Sequence, residues 1–306
     1  MSDECAIAVD IGGTTTKIAA VWGDGSIDAL TTIPTAGPAG ALLDSISERI
    51  RVLVEDYPAV GIGVAVAGFV DEARSAMIYN PNLEWLEGFP LRSAMEERHG
   101  MAVALDADSN AACLAEFRLG IGSGAGRFLC LAIGTGVGGG MIVEGEVVRL
   151  SHGGLGDIGH VMVEPFGLPC GSGCHGCAEA LITTSGIESR WGGGSPKTAR
   201  EIIEAAQAGD TRAISTIAET GRMLGIALAS QMVILFPDAV AIAGGIAEAG
   251  ELLLAPARAA VESLIGPFYR CGVRIEKARL GWQAPLVGAA IPLMARLCLD
   301  PIKLPG

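Results

Sequence analysis

Aromatic side chains are scarce in this chain: Phe, Trp and Tyr make up 5% of its 306 residues, although 50% are hydrophobic. A core must therefore come from Ala, Val, Leu and Ile, with 44 glycines shaping the connections, an α/β composition that excludes a disordered chain. Long apolar runs are missing as well. The longest uncharged stretches, such as Met223–Pro237 and Leu280–Ala295, are interrupted by Gly, Pro, Ser or Gln. They fall short of the roughly 18 apolar residues of a membrane span and read as core. No basic leader or signal-type cleavage site precedes the first apolar strand, Ala6–Val9, which points to the cytoplasm. Surplus positive charge is absent too. The net charge is −13 and the pI near 4.8, which argues against a nucleic-acid or membrane-surface binder because phosphate groups would be repelled.

At 306 residues there is room for two domains, each of roughly 100–200 residues. Two segments share one plan of apolar strand, Gly/Thr turn, apolar strand and Gly hairpin. The first runs Ile7–Val21 through Gly12-Gly13-Thr14-Thr15-Thr16-Lys17, and the second runs Phe128–Val143 through Gly134-Thr135-Gly136. Glycines at such turns let backbone N–H groups approach an anion, and Thr hydroxyls add donors, so two such turns can clasp a polyphosphate. Neither turn is a Walker loop or a dinucleotide fingerprint. A third glycine turn, Gly244-Gly245, follows the strand Ala239–Ala243 and precedes a helical pattern through Ala247–Val261. Ligands collect at the carboxyl ends of strands, where this turn would abut a nucleotide.

Ala102–Leu105 reads as a strand and Asn110–Phe117 as the start of a helix, with Asp106-Ala107-Asp108-Ser109 between them. Two readings stand side by side: Asp108 or Ser109 caps the helix, or Asp108 is a general base taking the proton from an alcohol that attacks a phosphoryl group. Of eight cysteines, Cys5, Cys113, Cys130, Cys271 and Cys298 are scattered and read as reduced thiols. Cys170, Cys174 and Cys177, with His160 ten residues earlier, offer three thiols and one imidazole, enough for a closed tetrahedral zinc site. Three idle thiols are the alternative, and His175 is a further candidate ligand.

Asp10-x-Gly-Gly-Thr, Ile133-Gly-Thr-Gly, Gly159-His160 and Cys170…Gly176-Cys177-Ala178-Glu179 occur in that order. Asn82, Trp85-x-x-Gly88, Asp108-x-Asn110-x-Ala112, Gly244-Gly245 and Gly288-Ala289-Ala290 join them. On these motifs the chain resembles the ROK family (repressors, open reading frames and kinases) over nearly its full length. The resemblance implies a duplicated actin-like ATPase (ribonuclease H-like) α/β fold, with two lobes closing over ATP and a sugar in the cleft between them. The lobes would be residues 1–112, joined by a returning C-terminal helix 289–306, and residues 113–288. It further implies Asp108 as catalytic base and Asn82, Asp108, Asp157, His160 and Glu179 around the sugar. Asp10, Gly12, Gly13, Thr14, Thr15, Lys17, Gly134, Thr135, Gly136, Gly244 and Gly245 would serve ATP, with Asp10 near Mg2+.

The implied reaction is phosphorylation of the 6-hydroxyl of a glucose-type hexose or amino-hexose. Family repressors carry a helix-turn-helix ahead of the first glycine turn, and here that turn arrives at Gly12, which favours the kinase branch over a sugar-sensing regulator. Members are often dimers, and a homodimer stays open. This chain departs from the family's Cys-x-Cys-Gly-x-x-Gly-Cys-x-Glu by having Ser172 at the second cysteine, so Zn2+ would need Cys174 instead. It also has Ala107 where the family has Asn, and Asp157 where the family has Glu.

Overall fold

The structure is a computed structural model and describes residues 4–80, 82–150, 153–192, 195 and 197–294. Two compact units emerge: Met1–Gly124 with Gly140–Gly156 and Trp282–Gly306, and Ala125–Gly139 with Asp157–Gly281. These divisions differ from the expected 1–112 and 113–288, because α3, introduced below, is one continuous helix across residue 112 and the segment 140–156 rejoins the first unit.

The chain opens as a meander of β1 (Cys5–Ile11), β2 (Thr15–Trp22) and β3 (Ile27–Pro34), paired antiparallel in sequence. Helix α1 (Ala39–Asp56) returns it to β4 (Ala59–Val66), parallel to β1. A small ribbon of β5 (Phe69–Val70) and β6 (Met77–Tyr79) follows. After α2 (Leu91–His99) comes β7 (Val103–Ala107), parallel to β4, and α3 (Asp108–Leu119) starts directly at its end. The sheet order is β3-β2-β1-β4-β7.

A second sheet repeats this order. It consists of β8 (Arg127–Ile133), β9 (Val137–Val143), β10 (Glu146–Val147), β11 (Ala239–Ala243) and β12 (Arg274–Lys277), arranged β10-β9-β8-β11-β12. Strands β8, β11 and β12 run parallel. Between β10 and β11 the chain forms α4 (Ala178–Ile182), α5 (Thr184–Trp191), α6 (Ala199–Gln207) and α7 (Thr211–Leu235). Thr198 and Glu201 close a reciprocal capping box on α6, and the Asp210 side chain accepts from the Ala213 amide to start α7. Helices α8 (Glu251–Leu264) and α9 (Pro267–Arg270) lead to β12, and α10 (Ala284–Ala290) ends the regular structure.

Every residue of β1 and of β11 is buried, as befits strands flanked on both sides, and their Val and Ile side chains contribute about 1.5–3 kcal/mol each. Helix α10 packs on α3, with Gly288 against the α3 backbone. A Cβ on Gly288 would stand 1.7 Å from the Ala111 carbonyl oxygen, so only glycine permits this approach. Met223–Pro237 falls largely in α7, and among the described residues no helix is long and apolar enough to cross a membrane.

Three expectations are corrected. Helix α3 begins at Asp108, two residues before the expected start, because a carboxylate is favourable in a first helical turn. The pattern through Ala247–Val261 is two elements, a 3-10 turn Gly245–Ala249 and α8, separated at Gly250 with φ +59°. No helix begins at 289: α10 ends at Ala290, a 3-10 turn Ile291–Leu293 follows, and residues 295–306 lie outside those described. Cys5, Cys113 and Cys130 are buried and Cys271 is exposed, all four outside any disulfide, while Cys298 lies outside the described residues.

Candidate active site

In the first unit, strand register brings the acidic groups together. Asp10 on β1 pairs with Ala65 on β4, which pairs with Asp106 on β7, so the carboxyl ends of three parallel strands stop at one level. Asp108 follows immediately as the first residue of α3. Across β1 and β2, Asp10 lies opposite Lys17, whose Nζ donates to Asp10 Oδ2 at 2.9 Å. The Lys17 ammonium also stands 5.9 Å from the Trp282 ring centroid. Nothing in the sequence marked Trp282.

Neither Asp108 nor Ser109 is the N-cap residue of α3, although Asp108 takes up one first-turn amide as the capping reading expected. The N-cap position is Ala107, without a side-chain bond, and the Asp108 carboxylate accepts from the Ser109 amide at 2.7 Å. Burial pushes the Asp108 pKa up to about 7; the nearby Asp10 charge acts in the same direction, against the Ser109 amide and Lys17. Asn82 faces the first glycine turn, since a Cβ on Gly13 would lie 4.0 Å from Asn82 Cβ.

Each glycine turn engages its own first amide, across three residues in the first and two in the second. Gly12 N donates to Thr15 O at 3.1 Å, and Gly134 N donates to Gly136 O at 2.9 Å. The first amide of each turn is thus engaged, and the following amides of Gly13 and Thr14, or Thr135 and Gly136, are the ones left for an anion among the described residues. Gly244, at φ +86°, brings the third turn against β8: a Cβ there would lie 2.3 Å from Ile133 O. Gly245 begins the 3-10 turn that follows.

In the second unit Glu179, in the first turn of α4, links two sites. Its Oε2 accepts from the Val137 amide at 2.9 Å, next to the Gly134-Thr135-Gly136 turn. Its Oε1 lies 3.9 Å from His160 Nε2, and Asp157 Oδ2 lies 3.3 Å from the same nitrogen. Burial, reinforced by Glu179 and opposed by His160, raises the Asp157 pKa.

The other His160 nitrogen, Nδ1, faces sulfur: it is 3.5 Å from Cys177 Sγ and 3.7 Å from both Cys170 Sγ and Cys174 Sγ. All four ligand atoms lie within 4.8 Å of one another, and His175 is not among them. A zinc ion with nitrogen at about 2.05 Å and sulfur at about 2.3 Å in a tetrahedron sets an N-to-S edge of about 3.6 Å, so the spacing fits this metal. The thiol chemistry fits as well. Bonds from Ser172 and then Cys177 hold the Cys174 pKa down at about 7, while burial pushes Cys177 up to about 12, and a dication would let both ionise. Ser172 Oγ stays 3.4 Å from His160 Nδ1 and from both Cys170 and Cys174 Sγ, a neighbour of the cluster.

Residues 6–295 match the model of the ROK family. The chain is 31% identical over 304 residues to a glucokinase of Streptomyces coelicolor, covering 93% of this chain and 96% of that protein. It is 31% identical over 295 residues to an N-acetylmannosamine kinase of Haemophilus influenzae, covering 93% of each. Among solved structures it is similar to a ROK family glucokinase from Streptomyces griseus in complex with glucose and AMPPNP, with a TM-score of 0.80, 31% identity, and 95% and 99% of the two chains covered. The repeated sheet order is that of the duplicated actin-like ATPase fold, and with a family match over nearly all of its length, the chain belongs to the ROK family.

Proposed function

We propose that the chain is an ATP-dependent sugar kinase that phosphorylates the 6-hydroxyl of a glucose-type hexose or amino-hexose, with Asp108 as general base. The observation that carries this reading is Asp108 itself, a carboxylate at the end of a parallel strand whose pKa is pushed up to about 7 beside Asp10. A base works best when its pKa lies near the working pH. Phosphoryl transfer needs positioning and charge neutralisation and no covalent intermediate.

In this reading the amides of the Gly12–Thr14 and Gly134–Gly136 turns, with Thr15 and Lys17, hold the phosphates, and Gly244-Gly245 lies along the nucleotide. Asp10 would hold Mg2+; its buried carboxylate repels Asp108, and a dication relieves that repulsion. Magnesium supplies neutralisation of phosphate charge. Asn82, Asp108, Asp157, His160 and Glu179 hold the sugar hydroxyls, Asp108 taking the proton of the attacking one. A zinc ion on His160, Cys170, Cys174 and Cys177 is structural, since four protein ligands leave no open position. It orients the His160 ring so that Nε2 turns to Asp157 and Glu179.

The amino-hexose enters through two departures. Ala107 is buried and offers no side-chain amide to a hydroxyl, and Asp157 is one methylene shorter than Glu. Asp157 and Glu179 carry negative charge that attracts an ammonium group, as in kanosamine (3-amino-3-deoxyglucose). The test is ADP release and kcat/KM with ATP for glucose, mannose, N-acetylmannosamine, glucosamine and kanosamine at constant ionic strength. No ADP with any sugar that binds would replace the kinase by a sugar-sensing regulator. Glucose leading every amino sugar by tenfold or more would retire the charge argument and leave a glucokinase.

A further inference from the structure

The N-cap residue of α3, Ala107, has no side-chain acceptor, and the Ser109 amide of the first turn is held by Asp108 itself, the residue whose position matters. An N-cap side chain is worth about 0.5–2 kcal/mol, and its loss lets a first turn fray. Asp108 rides on that turn. A polar cluster in the first unit stands where the cap is missing. Asp106 Oδ1 accepts from the Ala107 amide at 2.8 Å and from Asn110 Nδ2 at 2.8 Å, spanning the helix start. The other carboxylate oxygen, Oδ2, accepts from Arg149 Nη2, and the side chains of Arg149 and Asp106 are only 27% and 16% exposed.

Asn110 Nδ2 donates a second bond, to Gly153 O at 2.9 Å, tying the helix to the segment that follows β10. The same turn is held from another side by β9, where a Cβ on Gly140 would lie 3.1 Å from Ser109 O and 2.8 Å from Cys113 Cβ. The cluster carries a cost that capping alone does not need. Asn110 is 1% exposed and its Oδ1 is buried without a partner among the described residues. An unpaired buried acceptor costs about 1–3 kcal/mol, so the residue is kept for what its two donors hold.

We propose that Asp106, Asn110 and Arg149 are positioning residues that replace the missing N-cap and fix the first turn of α3, and with it the Asp108 carboxylate. This rests on the reading of Asp108 as general base. Arg149 neutralises Asp106, so the clamp adds no second full charge beside Asp108. Asn110 sets the azimuth of the turn against Gly153. A misplacement of about 1 Å at a reacting group costs on the order of 10²-fold, and loosening of one turn is of that size.

The test uses Asn110→Ala, alone and with Ala107→Ser, which restores a side-chain acceptor at the N-cap. Asp108→Asn is measured in parallel. The expected result for Asn110→Ala is a kcat lower by about 10–100-fold with the KM for ATP within about twofold. Amide exchange should accelerate at residues 108–111 and stay unchanged in β1 and β4. Adding Ala107→Ser should recover both exchange protection and part of kcat. Unchanged exchange at 108–111, or acceleration spread evenly over the whole unit, overturns the proposal. If Asp108→Asn keeps its activity while Asn110→Ala loosens only the first turn, the base assignment falls and the clamp remains.

Discussion

The two sheets have one order and unequal chemistry. In β1 the turn is preceded by Asp10, whereas the matching position before Ile133-Gly134 on β8 is Ala132. The first copy adds Lys17 opposite Asp10 and Asp108 at the end of β7, so it gathers the groups suited to moving a proton and facing a metal. The second copy keeps the backbone amides of the turn and adds the loop before α4 that carries His160 and the three thiols, with Glu179 in the first turn of α4. Duplication of a strand-turn-strand scaffold thus supplies two glycine turns whose backbone amides suit the anion binding proposed for them. Chemical roles then diverge by single residues on the same backbone.

The largest expected effect comes from removing the acid-base group of the first copy. Asp108→Asn should cut kcat by about 10²–10⁴-fold while ATP binding and the melting temperature stay near wild type. Retention of more than a tenth of wild-type turnover would falsify the assignment.

A matching break in the second copy should act on structure first. Protein purified without chelator should hold about one zinc per chain, and Cys174→Ser should release it and lower the melting temperature, with the loss of sugar affinity exceeding that of ATP affinity. Full activity in metal-free protein would show that Glu179 and His160 are ordered without the ion. Ser172→Cys should not raise the zinc count above one.

The pH profile sharpens the contrast because the first copy holds a carboxylate, Asp108, with a pKa pushed up to about 7. The working form of a base is ionised, so kcat/KM should rise about tenfold per pH unit below the Asp108 pKa of about 7 and level off above it. Lys17 lowers that pKa, so Lys17→Met should move the rising limb to higher pH, read as the midpoint of the profile. The stability sign is the reverse of an ordinary carboxylate's. The folded chain binds this proton more tightly than the unfolded chain, so its contribution is full below about pH 4 and is lost as pH rises through about 7. A profile flat from pH 5 to 8 with Asp108→Asn inactive would detach the pKa from the rate.

The smallest effect concerns the sugar. Ala107→Asn with Asp157→Glu should shift the ratio of kcat/KM for glucose over an amino sugar by about tenfold toward glucose, the scale of one hydrogen-bonded contact. An unchanged ratio would mean that neither position reads the substrate.

Much of this was legible in the chain itself. The continuous apolar runs and the repeated Gly/Thr turns marked two α/β halves of related design, because strand burial and turn geometry are set by local residue types, and the resemblance of the ordered motifs to the ROK family implied the duplicated fold. The cysteine spacing marked the cluster of His160, Cys170, Cys174 and Cys177, since only short loops separate the three thiols. Other features depended on contacts between distant segments. Sequence spacing could not show that Asp10, Ala65 and Asp106 end in register, because register is set by packing across three strands separated by whole helices. Neither could it show that the N-cap of α3 falls on Ala107, which has no side-chain acceptor, while Arg149, 43 residues after Asp106, supplies the counter-charge. The pKa of Asp108 belongs to the same class: it comes from burial and from a neighbour on another strand, and both exist only once the chain has folded.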